Sequence, residues 1–333
     1  MSSPSSSTAE LIVTIAEYYT IYTGFITLFF GIIGNISLIF VLTRLRIFRG
    51  NPSAFYLIAE SITNSLQMTV LLTSRIAMNG FATDLTQTIL FWCRLRALFR
   101  AYFTLEPLSI ICFSAIDQYL STSYYPLLRQ KSTIKLAKIL LTIVTIVWIL
   151  HGIPFILFSE IQTTHGCFIY NSRFLNYIIY FYYPILSGIL PIIISTFFGV
   201  LAYRNVRRIV RRQMPIRRRK FDQQLTAMIL IRVVFLIIMI LPYVLERIYM
   251  VSFKINNSGL YDAILILIDD VAYSFFHINY AGSFYLFLIS SKRFRRQVKY
   301  AFIQKFWEIY CTRRKHQNQV FPITQSCISE DDF

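Results

Sequence analysis

"IDQYLSTSYYPLLRQ", residues 116–130, marks the place where a long apolar run ends and a polar connection begins. An acid, an amide and an aromatic stand together at that edge, with a proline seven residues after the tyrosine. Upstream, the apolar block 94–119 is long enough to cross a hydrocarbon core, which takes about 20 helical residues. Six further blocks of this kind lie at 19–43, 54–78, 134–157, 176–202, 225–251 and 263–289. The chain is 56% hydrophobic and 15% charged, against about a quarter charged in soluble domains. Within a bilayer every backbone N–H and C=O must be satisfied inside its own segment, which leaves helix as the open-chain solution. The expected fold is an all-α membrane protein, a bundle of seven transmembrane helices. Block 94–119 is the least apolar, since it carries Arg94, Arg96, Arg100, Glu106 and Asp117.

Orientation follows from the Lys/Arg content of the connections. One set holds Arg44, Arg46 and Arg49, then Arg129, Lys131, Lys135 and Lys138, then nine basic residues in 203–224 and nine after 290. The other set holds only Arg173 and Lys254. The first set is expected in the cytosol, so residues 1–18 form an extracellular N-terminus, 19–290 the membrane domain and 305–333 a cytosolic tail. The Ser-rich start has neither a basic segment nor a small-residue cleavage site, so the first helix is expected to serve as an uncleaved signal anchor. A net charge of +17 suits the anionic inner face of a lipid bilayer. The run "RRIVRRQMPIRRRK" (207–220) lies between two spans, which argues against a nucleic-acid partner. Cys93 and Cys167 fall on the outer side, where a disulfide persists; pairing them would tie the second outer loop to the top of the third helix. Cys112 is mid-membrane and Cys311 and Cys327 are cytosolic, Cys311 being either a palmitoylation site or a free thiol. Asn256-Asn257-Ser258 is a glycosylation sequon in the third outer loop.

In order and spacing these landmarks resemble the rhodopsin-like family of G-protein-coupled receptors over about residues 20–300, with the character of a divergent invertebrate member. Gly34-Asn35 is similar to the family's GN pair in the first helix. Cys93 opens the third helix, and Asp117-Gln118-Tyr119 with Pro126 closes it in the manner of the DRY…P signature. Trp148, Pro191 and Pro242 match the marker residues of the fourth, fifth and sixth helices. "SSKRFRRQV" resembles the short amphipathic eighth helix, expected over 291–304, where Phe294, Val298 and Phe302 recur every four residues among basic ones.

The departures carry information of their own. Asn64 stands where the family has an Asp in its second helix, which removes the expected sodium site. "CWxP" reads Met239-Ile240-Leu241-Pro242. "NPxxY" reads Ser283-Phe284-Tyr285-Leu286-Phe287, with Phe287 in the tyrosine position; a two-residue shift would put Tyr285 there instead. Without the kink proline the seventh helix is expected to bend less. Where the family's amine receptors carry an Asp, seven residues after the third-helix cysteine, this chain has Arg100, and like charge in a low-dielectric cavity excludes an amine. No lysine lies in 263–289 to form a retinal Schiff base.

Arg96 and Arg100 share a helical face, and Glu246, Arg247, Asp269 and Asp270 fall toward the outer ends of their helices. Two readings stay open. In one, Arg96 and Arg100 pair with Glu246 or with Asp269 and Asp270 and hold the bundle; in the other, Arg100 takes a ligand carboxylate by a charge-assisted fork. Phe103 and His277 are further ligand candidates, with packing as the alternative for each.

At the cytosolic end the resemblance implies a switch. The DRY arginine would pair with an acid at the base of the sixth helix, which is Asp222 here, but Gln118 offers only a neutral hydrogen bond. Glu60, one turn from Asn64, and Arg232, ten residues before Pro242, fall in a layer that the family fills with apolar residues. An unpaired charge there costs several kcal/mol, roughly, so either the two pair as a displaced lock or Arg232 snorkels to the interface beside a neutral Glu60.

The function this implies is a plasma-membrane receptor that passes an extracellular ligand signal to a heterotrimeric G protein, with a peptide or other carboxylate favoured. A non-coupling scavenger or scaffold of the same fold is one alternative. A ligand-gated seven-helix channel is the other, and its cytosolic N-terminus conflicts with the charge asymmetry. No phosphate-cradling glycine loop, metal-ligand spacing or nucleophile–base pair points to an enzyme or a cofactor.

Overall fold

The structure, a computed structural model, describes residues 4–81, 88–162, 166–209, 216–252 and 259–303. Helix α1 is Pro4–Arg44. Helix α2 covers 52–80: Pro52–Gln67, a π turn Met68–Leu72, one α turn Thr73–Arg75 and a second π turn Ile76–Gly80. Helix α3 is Leu90–Thr122, the short α4 is Pro126–Lys131 and α5 is Ile134–Phe158. A hairpin follows, β1 Ser159–Gln162 antiparallel to β2 Gly166–Ile169. Helix α6 covers 172–209, with a long π segment Ile178–Ile189 around Pro184. Helix α7 is Ile216–Ser252, α8 Gly259–Ala281, α9 Ser283–Ser290, and α10 covers 292–303.

Local chemistry starts these helices where it should. Asn51 caps α2, its side chain accepting from the Ala54 N–H, and Pro52 follows at the first helical position, where a missing N–H costs nothing. Thr133 accepts from Leu136 N–H at the start of α5, and Asn171 from Phe174 N–H at the start of α6. Among the described residues five helices are long and apolar enough to cross a membrane: Ser7–Arg44, Leu90–Thr122, Ile134–Phe158, Ser172–Arg208 and Asp222–Met250. Their outward faces are apolar, as on α5, where Ile139, Ile143, Ile146, Leu150 and Leu157 are exposed. Water would not tolerate so large a patch, whereas lipid requires it. The chain is thus a multi-pass membrane protein.

Helix α3 is the axle, packing against α2, α5, α6 and α7, while α1 runs along α8 and α7 along both α6 and α8. The buried Asn35 amide joins α1 to α8, donating to Gly31 O at 2.8 Å and to Tyr280 O at 3.1 Å. Gly34 beside it lets Tyr285 approach, since a Cβ there would sit 2.9 Å from the ring. One apolar core fills the middle of the bundle around Leu105, Leu108, Leu236, Tyr243 and Tyr280. A second lies away from the hairpin around Leu38, Leu57, Met228, Phe287 and Phe294.

Three features concern how the helices begin and continue. The segment 4–18, expected within the extracellular N-terminus that precedes the first span, is helical and continuous with α1, because its Ala, Leu and Ile residues extend the same helix. The π turns of α2 and α6 have no hydropathy signature. Between α8 and α9 the helix is interrupted at Gly282, yet Gly282 N–H still bonds Ile278 O and Leu286 N–H still bonds Gly282 O, each at 2.9 Å.

Candidate functional site

Two groups of charged and polar side chains lie inside the bundle, one beneath the hairpin and one toward the opposite end. Beneath the hairpin is a cavity of about 140 Å³. The disulfide between Cys93, on α3, and Cys167, on β2, closes it from above, so the expected pairing is borne out. Arg96 and Arg100 enter from α3, Tyr183 from the π segment of α6 and Arg247 from α7, while Phe155 and Ile178 supply apolar wall. Among the described residues three guanidinium groups and no carboxylate line it.

The nearby acids are engaged elsewhere. Arg75, on the α turn between the two π turns of α2, pairs with Asp269 and lies 2.6 Å from Asp270; Asn79 donates to Asp270 at 3.0 Å. Arg247 forks onto Glu246 at 2.6 and 2.9 Å and also pairs with Asp269. The Tyr273 ring lies between the two arginines, 3.9 Å from the Arg75 guanidinium and 4.8 Å from that of Arg247, where its π face attracts both cations. The reading in which Glu246, Asp269 or Asp270 partners Arg100 is therefore corrected. Arg75 and Arg247 take those acids, and among the described residues Arg100 makes neither an ion pair nor a side-chain hydrogen bond.

The other ligand candidates sit apart from this cavity. Phe103 is buried against Phe99 and Tyr102. His277 donates from Nδ1 to Tyr273 O at 2.7 Å and faces a separate space of about 20 Å³, shared with Arg75 and Asp270, room for one water. Sequence reasoning missed Tyr183 and Phe155 as lining residues. Only the π register of α6 and the crossing of α5 turn them inward.

Toward the opposite end, Arg232 and Glu60 meet. Arg232 Nε donates to Glu60 Oε1 at 2.7 Å and its Nη1 to Asn279 Oδ1 at 2.7 Å, while Ser283 lies 3.5 Å from Glu60. The Arg232 side chain is 1% exposed and that of Glu60 3%, so Arg232 does not snorkel. Such a pair is expensive to break from one side, about 3–5 kcal/mol. Asn64 is fully buried nearby on α2, with no hydrogen-bond partner for its amide among the described residues.

Gln118 Nε2 donates to the Thr226 hydroxyl at 2.7 Å and to the backbone carbonyl of Asp222 at 3.3 Å. That corrects the expectation of a bond to the Asp222 carboxylate: the Gln118 amide meets helix α7 about one turn further along, at Thr226. Asp117 accepts from Ser53 at 2.6 Å and Ser132 at 2.7 Å, bracing α2 and the segment before α5. Tyr119 rests against Phe198. Phe287 is fully buried and touches Phe294, whereas Tyr285 points to α1, its hydroxyl donating to Phe30 O at 2.8 Å. Asn256 and Cys311 lie outside the described residues.

The model of the 7 transmembrane receptor (rhodopsin family) matches residues 34–279, most of the chain, and the protein belongs to that family. Receptors of this family are not enzymes. Among curated proteins no relative matches.

Proposed function

We propose that the protein is a plasma-membrane receptor of seven spans whose hairpin end faces outward and binds an anionic ligand, a peptide or other carboxylate. The opposite end, with α10 and the cytosolic tail, faces a heterotrimeric G protein. The observation that carries the ligand class is Arg100, which among the described residues has no acidic partner and shares its cavity with two other arginines and no acid. In a water-poor cavity a carboxylate completes its charge by a two-pronged hydrogen bond, whereas an ammonium would be repelled. The ligand biases an existing equilibrium between two arrangements of the bundle by binding one of them better.

A ligand screen on the expressed receptor, read as G-protein nucleotide exchange, tests this with Arg100→Ala and Arg100→Lys run beside the wild type. Loss of response in Arg100→Ala with partial retention in Arg100→Lys is expected. A full response from Arg100→Ala overturns the anion reading. Gln118 favours a second reading, a receptor that binds without coupling. Nucleotide exchange that stays flat across a panel of G proteins while ligand binding is measurable would establish it.

A further inference from the structure

The cavity beneath the hairpin is small. At about 140 Å³ it falls well below the roughly 300–1,000 Å³ of sites that hold drug-sized ligands. A cavity of about 150 Å³ takes a single benzene ring, so this one has room for about six to eight non-hydrogen atoms. Its roof is tied down: Cys167 is bonded to Cys93, and the next two residues of β2, Phe168 and Ile169, line the space. A peptide trailing out of the site would have to displace that roof.

The walls differ in chemistry. Toward α7, Arg247 lies 5.8 Å from the Tyr243 ring, and Tyr243 meets Tyr183 at 6.3 Å. Toward α5 and the start of α6 the wall is Phe155, Leu175 and Ile178. Ser159 stands among these, but its hydroxyl is engaged, donating to Phe155 O at 2.6 Å. Charge is limited as well. Arg247 is forked onto Glu246, and Arg96 has an interaction of its own. Arg100 therefore sets the capacity at one negative charge, since a second buried anion without a partner is prohibitive.

We propose that the occupant is a small free monocarboxylic acid, its carboxylate on Arg100 and a short apolar body of about three to five carbons against Phe155, Leu175 and Ile178. This narrows the receptor reading above, on which it rests, from any carboxylate to one that the roof encloses. Each methylene that still finds wall should tighten binding about fourfold. The first that does not must push against a close-packed interior, so affinity should pass through a maximum with chain length. Ile178 and Ala97, both lining the space, set where that maximum falls.

The test uses the full-length receptor in lipid nanodiscs with Cys311→Ser and Cys327→Ser, its unfolding midpoint read from the reactivity of Cys112, which is buried in the fold. Ligand that binds only the folded state raises the midpoint with concentration, which gives an apparent Kd. The probes are acetate, butyrate, hexanoate, octanoate and decanoate, with hexanamide as the neutral isostere and the tripeptide acid Ala-Ala-Phe. Affinity is expected to climb about fourfold per methylene from acetate to hexanoate and to fall for octanoate and decanoate. Hexanamide and the tripeptide should give no shift. Arg100→Ala should abolish protection by every acid. Ile178→Ala, which enlarges the cavity, should move the maximum to octanoate, and Ala97→Leu, which fills it, should move it to butyrate; these two carry the test where Arg100→Ala does not fold. Affinity that keeps rising to decanoate, protection by the tripeptide, or a maximum that stays put in both size variants overturns the small-acid proposal. If that protection is still lost in Arg100→Ala, the anion reading survives. If no acid protects, or hexanamide protects as well as hexanoate, the anion reading falls and the proposal with it.

Discussion

Removing Glu60 should damage the protein more than removing Arg232, although the two form one ion pair. Arg232 Nε lies 2.7 Å from Glu60 Oε1 with both side chains almost fully buried, so neither charge can be rehydrated in place. In Glu60→Leu the guanidinium keeps its proton at any accessible pH and is left with Asn279 alone, at a cost of about 3–5 kcal/mol. In Arg232→Met the abandoned carboxyl can take up a proton and become neutral, and Ser283 still lies 3.5 Å away. That limits the loss to about 1–3 kcal/mol, the cost of an unsatisfied polar group. Glu60→Leu/Arg232→Met should lie close to wild type or above it, as buried pairs replaced by apolar residues often do. At about 2–4 °C per kcal/mol for a domain of 150–250 residues, and less for a longer chain, Glu60→Leu should lower the unfolding midpoint by roughly 5–15 °C. Cys112 is free and buried, so a thiol-reactive dye that reports its exposure on heating measures the midpoint in a background where Cys311 and Cys327 are serine. Equal small losses from the two single variants, or a double variant whose loss is their sum, would refute the pairing argument.

Cys93→Ala/Cys167→Ala removes a bond that joins residues 74 apart. It should cost about 2–4 kcal/mol and, by freeing the hairpin over the cavity, weaken ligand response more than surface expression; normal response at normal expression contradicts the lid role. Gly282→Ala would put a Cβ 2.6 Å from the Phe235 ring, so α7 and α8 must part or Phe235 must turn. A loss of about 1–3 kcal/mol is expected for overpacking, read as thermal midpoint, and Phe235→Leu on the same background should recover part of it. Gln118→Arg gives α3 a cation near the base of α7, and basal nucleotide exchange should fall if it reaches the Asp222 carboxylate; unchanged basal exchange shows that the guanidinium finds no acid there.

Much of the architecture was legible because membrane insertion is a local constraint. Each span must satisfy its own backbone and present apolar side chains to lipid, so the block 134–157 foretells α5 at Ile134–Phe158 almost to the residue. Ends were less legible: α1 begins at Pro4, since a helix extends past the bilayer wherever nothing breaks it. The candidate site was legible as a list of charges but not as partnerships. Arg75, Arg96, Arg100 and Arg247 look alike in sequence, and only one lies on a short α turn between two π turns that carries it to Asp269 and Asp270. The buried hydrogen bond from Gln224 Nε2 to Gln297 Oε1 at 2.7 Å has no signature in the sequence, because an uncharged amide among polar residues carries no pattern of its own.

The sequence by itself determined that this chain is a multi-pass helical membrane protein of the rhodopsin family, with Cys93 and Cys167 placed to bond and Gln118 in place of an arginine. Hydropathy, turn chemistry and residue order are properties of short segments, and they survive without knowledge of what packs where. The tertiary structure alone decided which arginine is left without an acid among the described residues, that Arg232 meets Glu60 and Asn279, and that Gln118 reaches Thr226. Those outcomes depend on helix rotation and crossing, where a one-residue π insertion turns a side chain by about a quarter of a helical turn. A change of that size separates a satisfied ion pair from an open guanidinium.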